Sequence, residues 1–214
     1  MAVGKGKVDL TLLSPMSAEE KRLLKVTLCG VVLNRCPDLY ALVLAMTCRR
    51  DATAAAAFLP PEAAARPLAL NELTQIPRLR AAARGMDCFF ERICYEFSLD
   101  PAQVSRECLE LGRRHRGHVR AASPSLQPAT FLTFFDCLQE VLAGLDLGDF
   151  DRFIVARAWQ KLADLICDRL AEGYLSEAEA ELAAPPPTPA TITSYPAPFD
   201  QEALHPDQVV AQIL

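Results

Sequence analysis

Histidine is scarce in this chain, with three in 214 residues, and tryptophan occurs once. Basic charge is not in excess either. Lys and Arg number 22 against 27 Asp and Glu, a net charge of -5, which argues against a nucleic-acid footprint. No apolar run reaches the roughly 20 residues that a membrane-spanning helix needs. The opening stretch MAVGKGKVDLTLLSPMS is too short and too polar for a secretory signal. Ala2 at the second position removes the Gly-dependent myristoylation signal. The GKGK within it lacks the spacing of a phosphate-binding loop, and no nucleophile–base pair or carboxylate cluster stands out. A classical catalytic constellation is therefore missing, and enzymatic activity is left open.

Cysteine is plentiful, but it too lacks a pattern. Cys29, Cys36, Cys48, Cys88, Cys94, Cys108, Cys137 and Cys167 contain no C-x-x-C pair, so a zinc ribbon fails on spacing. They lie in apolar stretches with helical spacing. Without a secretory signal, they read as buried free thiols of a cytoplasmic protein.

What the chain does have is helical periodicity, with no stretch alternating as a strand would. Three zones follow: an extension over 1–15, a helical domain over 16–178, and a tail over 179–214 that is rich in proline and expected to lack fixed structure. Ser17 and Glu20 form a capping box ahead of Leu23, Leu24, Leu28, Val31 and Val32. Pro37 fits the first turn of a second helix, and Pro60 and Pro61 break the chain after Phe58. From Pro77 a third long helix places Leu79, Ala83, Met86, Phe90, Ile93 and Cys94 on one face. Asp100 and Pro101 open the next helix, which Gly112 is expected to interrupt. Pro128 opens a phenylalanine-rich helix with Phe131, Phe134, Phe135, Leu138, Val141 and Leu142 at steps of three and four. A last helix, 149–174, aligns Val155, Trp159, Leu162, Ile166 and Leu170.

Two of the three histidines fall in LELGRRHRGHV, residues 109–119. Imidazole is a common axial ligand of haem iron. Leu109 and Leu111 give this segment an apolar side, and Gly112 lets its backbone approach something bulky. On its own, a histidine in a basic run reads as a surface residue. The flanking helices change that reading.

LELGRRHRGHV resembles the proximal segment of globins, in particular the neuroglobin-like and invertebrate intracellular branches. IPRLRAAARGMDCFFERICYEF is similar to the globin distal helix. LVLAMTCRRDATAAAAF resembles the stretch ending in the phenylalanine that packs on the haem. QPATFLTFFDCLQEVL and VARAWQKLADLICDRLAEGY resemble the last two helices. The resemblance covers about residues 17–175, in order. It implies an all-α globin fold of about eight helices around a pocket for haem b, iron protoporphyrin IX.

Carried over by position, the resemblance makes His115 the iron ligand, with His118 as the alternative. Phe58 becomes the haem-stacking phenylalanine, and Leu111, Val119 and Phe131 further pocket residues. The face of Leu79, Met86, Phe90 and Cys94 puts Met86 at the apolar distal position and Ala82, four residues earlier, over the iron. A shift of one places Ala83 there and Asp87 in the pocket, where an unpaired carboxylate is costly. A shift of two brings Arg84 over the iron and turns Arg92 to the core. Ala82 is preferred, with Arg84 as the alternative. Arg116 and Arg120 are candidates for pairing with haem carboxylates.

Ala82 departs from the His or Gln of the family pattern. Without a donor to bound dioxygen, the implied site is an open five-coordinate or water-bound iron. That suits redox chemistry, sensing or handling of O2, NO and CO, with a redox partner, better than bulk oxygen transport. The contrasting expectation is a haem-free helical module that acts by binding partners.

Overall fold

The computed structural model describes residues 16–66, 68–117 and 126–183, and every regular element among them is helical. The expectations that fall on the tail from 184 onward, and on His118, Val119 and Arg120, lie outside the described residues.

Helix α1, Ala18–Val26, starts at the expected capping box. The Glu20 N–H donates to Ser17 Oγ (3.1 Å), and the Ser17 N–H donates to Glu20 Oε2 (2.8 Å). The helix widens into a π turn over Thr27–Val32, where the Thr27 hydroxyl donates to the Leu23 carbonyl, and ends as α2, Leu33–Arg35. Pro37 lies in the turn that follows; α3, Leu39–Arg50, begins two residues later than the proline suggests. Asp51 then caps α4, Ala52–Phe58, by accepting from the Thr53 and Ala54 N–H groups. Short helices α5, Pro61–Ala64, and α6, Leu70–Leu73, bridge to α7, Pro77–Glu91, which opens with proline in its first turn as expected.

Helix α7 also ends in a π turn, Arg92–Glu96. Ser98 and Leu99 follow with φ of 50° and 57°. Leu99 tolerates this left-handed conformation because its side chain is fully buried and its N–H closes on the Ile93 carbonyl at 3.0 Å. After this reversal α8, Pro101–Gly117, packs on the last described helix, with an open cleft between α8 and α7. Helix α9, Pro128–Gly144, and α10, Arg152–Ala183, complete the fold. Helix α10 runs past 178, so the expected start of the tail falls inside it.

The principal packing partners are α8 with α10, α3 with α9, α9 with α10, α3 with α7 and α1 with α10. An aromatic cluster marks the centre. Phe90 stacks on Tyr40 (centroids 5.0 Å apart), with Phe135 and Trp159 at 6.3 and 6.0 Å. The expected stripe of Val155, Trp159, Leu162, Ile166 and Leu170 is buried throughout.

Gly112 does not interrupt α8, which continues through it. Its role is proximity. A Cβ at Gly112 would collide with the Leu170 carbonyl oxygen, and one at Gly173 with the Leu109 carbonyl oxygen. The two glycines let α8 and α10 touch backbone to backbone, an arrangement in which Cα–H groups meet carbonyl oxygens. Gly112 was expected to approach a bulky group; it approaches a neighbouring helix.

A buried ionic clasp joins α1 to α10. Glu20 Oε2 accepts from Lys161 Nζ at 3.1 Å, and its Oε1 lies 2.9 Å from Lys161 Nζ and 3.3 Å from Arg157 Nε as an ion pair. The Ser17 backbone N–H, then Lys161, hold its carboxyl down at about 2 from an ordinary 4.5, against the opposing effect of burial.

Two outcomes follow. Gly112→Ala forces backbones apart and lowers unfolding free energy by about 3 kcal/mol, read as a lower urea midpoint. Gly144→Ala, where a Cβ meets nothing within 4 Å, changes it little. Glu20 binds a proton more weakly in the folded state, so its stabilisation is complete above pH 4.5 and is lost as pH falls toward 2. Glu20→Gln therefore flattens that part of the stability profile, measured by thermal unfolding at stepped pH.

Candidate functional site

Five helices and the end of α4 close around one apolar cavity of about 50 Å3. Helix α3 contributes Leu44 and Thr47, α4 contributes Phe58, and α7 contributes Met86, Phe89 and Phe90. Leu111 and His115 come from α8, Thr130, Phe131, Phe134 and Phe135 from α9, and Ile166 and Leu170 from α10. Leu126, just before α9, completes the wall.

The lining is almost wholly hydrocarbon. The Thr47 hydroxyl is turned to its own helix, donating to the Val43 carbonyl at 2.8 Å. The His115 imidazole is half-buried and tilted by 42° against the Phe131 ring, with centroids 5.5 Å apart. The glycine contact bears on its position. Gly112 meets the Leu170 carbonyl, and Leu111 beside it and His115 three residues on line the same cavity as the Leu170 side chain. Leu111 and His115 are four apart and share one helix face.

Phe58, Met86, Leu111, His115 and Phe131, all nominated from the sequence, come together here. Leu79 and Ala82 do not reach the cavity; both are buried in the surrounding core. The face of α7 is the expected one, but the cavity opens a turn later, at Met86, Phe89 and Phe90. Arg84, the alternative distal residue, is exposed and lies in a groove on another face with Asp38, Arg80 and Asp87. Burial, then the charges of Glu91 and Asp38, push the Asp87 carboxyl up to about 6 there. Arg116 is engaged with α10: it donates to the Tyr174 hydroxyl at 3.3 Å and covers that ring at 5.4 Å.

Among the described residues no three His, Cys, Asp or Glu side chains converge as a metal site. Cys48, Cys94, Cys108, Cys137 and Cys167 are buried as expected, whereas Cys36 is half-buried and Cys88 is exposed. Burial pushes the Cys48, Cys108 and Cys167 thiols up to about 12, leaving them poor nucleophiles and poor ligands at neutral pH.

Sequence reasoning missed Phe89, Leu126, Leu44 and Thr130. It also missed a second cleft beyond Phe89 and Leu111, which line both spaces. That cleft measures about 480 Å3 and separates α7 and its π turn from α8. The paired Phe89–Phe90 was a usable signal, since adjacent residues on a helix point about 100° apart and only Phe89 of the two also lines the cleft.

The chain matches no family model, no curated protein and no solved structure.

Proposed function

We propose that the chain is a haem-binding globin in which His115 ligates the iron. Its role is redox chemistry, sensing or handling of O2, NO or CO in the cytoplasm, with a redox partner, rather than bulk oxygen transport. The observation that supports this reading is the convergence of His115 with Phe58, Met86, Leu111 and Phe131 on a single apolar cavity.

The donor set suits the group. An imidazole among aromatic and aliphatic walls is what a flat macrocycle with a neutral axial ligand requires. With no cluster of three potential ligands among the described residues, iron here depends on a porphyrin for its remaining ligands. Room is the constraint. The cavity of about 50 Å3 is far below the several hundred Å3 of ordinary ligand pockets. Phe89 and Leu111 form the partition toward the larger cleft, and their side chains are the wall that must give way.

When bound, haem iron supplies a coordination position for a diatomic gas and a one-electron couple. The chain's own residues have other tasks. His115 presents its imidazole from a helix fixed against α10. Phe58 and Phe131 exclude water and press on flat surfaces. Met86 offers a thioether with no N–H or O–H, so it donates no hydrogen bond to a bound gas.

The small volume favours a second reading, a haem-free helical module that acts through partners. Haemin titration separates the two. The wild-type chain takes up one equivalent with a sharpened Soret band. His115→Ala loses stoichiometric uptake while its far-ultraviolet circular dichroism stays helical. Uptake by His115→Ala with an unchanged spectrum overturns the ligand assignment and points to His118. No uptake by the wild type leaves the haem-free module.

A further inference from the structure

The cleft between the π turn and α8 carries a charged wall to which the haem reading assigns no role. Its floor is Phe89 and Leu111, both buried. Its wall is an ionic trio. Glu107 Oε1 accepts from Arg92 Nη2 and, at 3.4 Å, from Arg114 Nη2. One carboxylate oxygen therefore serves two guanidiniums, each of which carries five N–H donors. The Nε atoms of Arg92 and Arg114 are buried without an acceptor, and each side chain is 39% exposed, so the N–H groups open to the cleft are those on Nη that Glu107 does not take. A phenyl ring steadies Arg92, its guanidinium lying 5.6 Å from the Phe97 centroid.

Two adjacent guanidiniums with unused donors, beside an apolar floor, form half of a recognition site. What they lack is a second carboxylate, which arginine takes in a bidentate fork. The charges lining the cleft limit what can enter. Glu91 and Glu96 are exposed at the rim, and with Glu107 they set three negative charges against two positive ones. A doubly charged phosphate is repelled by that balance. A single carboxylate, held at the guanidiniums and away from the water-screened rim, is tolerated. The cleft volume of about 480 Å3 lies in the range of sites for small organic molecules.

We propose that this cleft binds a monocarboxylic acid with an apolar body, its carboxylate on Arg92 and Arg114 and its hydrocarbon on Phe89 and Leu111. The proposal does not rest on haem binding. It concerns the charged side of the Phe89–Leu111 partition, whereas His115 lines the other. It does imply that the two spaces communicate through those two side chains, so that an acid in the cleft is placed to influence whatever occupies the apolar cavity.

The test is calorimetric titration of the whole chain, as purified, with decanoate, 1-decanol and decylamine as probes. Haem content is read separately from the visible absorbance of the same samples. Decanoate binds at one equivalent, and the alcohol and the amine each bind at least about tenfold more weakly, as expected when a charge-assisted hydrogen bond is lost. Arg114→Gln and Arg92→Gln each weaken decanoate by about tenfold or more. Glu107→Gln, which frees both guanidiniums from a competing charge, tightens it. If an arginine variant fails to fold, by circular dichroism, the acid–alcohol–amine comparison on the wild type decides. Absence of decanoate binding, equal binding of the alcohol or the amine, or folded arginine variants with unchanged affinity each overturn the proposal. A chain that takes up no added haemin yet binds decanoate sinks the haem reading and leaves this one standing.

Discussion

The backbone contact of α8 with α10 at Gly112 and Gly173 is the constraint on which the site depends. Each glycine faces a carbonyl on the opposite helix, Leu170 and Leu109 respectively, so the pair fixes both the separation and the register of the two helices. The consequence reaches the cavity directly. Leu170 gives its carbonyl to the Gly112 contact and its side chain to the cavity wall, and Leu111 and His115, one before and three after Gly112, join it there. A side chain at position 112 would move His115 away from Phe131 as surely as it would weaken the core.

The same helix carries two chemistries on adjoining faces. Leu111 and His115 look into a hydrocarbon cavity built by the phenylalanines of α7 and α9. Glu107 and Arg114, seven residues apart and so close to one face, meet Arg92 in a cleft of about 480 Å3. Phe89 and Leu111 separate the two. Phe89 and Leu111 are thus the two side chains shared by an imidazole-bearing apolar cavity and a guanidinium-bearing cleft.

Much of this was legible in the sequence, for physical reasons that also mark where legibility ended. The Ser17–Glu20 capping box, the prolines opening α7, α8 and α9, and the buried stripe of α10 are local signals, and local signals survive folding. Phe58, Met86, Leu111, His115 and Phe131 were nominated from a resemblance spread over several helices, and they share a cavity. Gly112 was misread because a glycine's cost to a helix is visible in sequence while the neighbour it admits is not. The α7 face was identified, but Ala82 and Leu79 were placed one turn too early; periodicity fixes rotation about a helix axis and leaves position along it free. The trio of Arg92, Glu107 and Arg114 was invisible because the reversal that lets the π turn reach α8 runs through two non-glycine residues with positive φ, Ser98 and Leu99.

The proposal that His115 holds haem iron in this cavity has an optical test. The visible absorption spectrum of the purified chain, taken in ferric, dithionite-reduced and CO-bound forms, tests it most directly. The expected result is a Soret band that sharpens and shifts on adding CO to the reduced protein. A colourless chain that stays colourless with added haemin would contradict it, and would leave His115 as a histidine packed on Phe131 in a haem-free helical module.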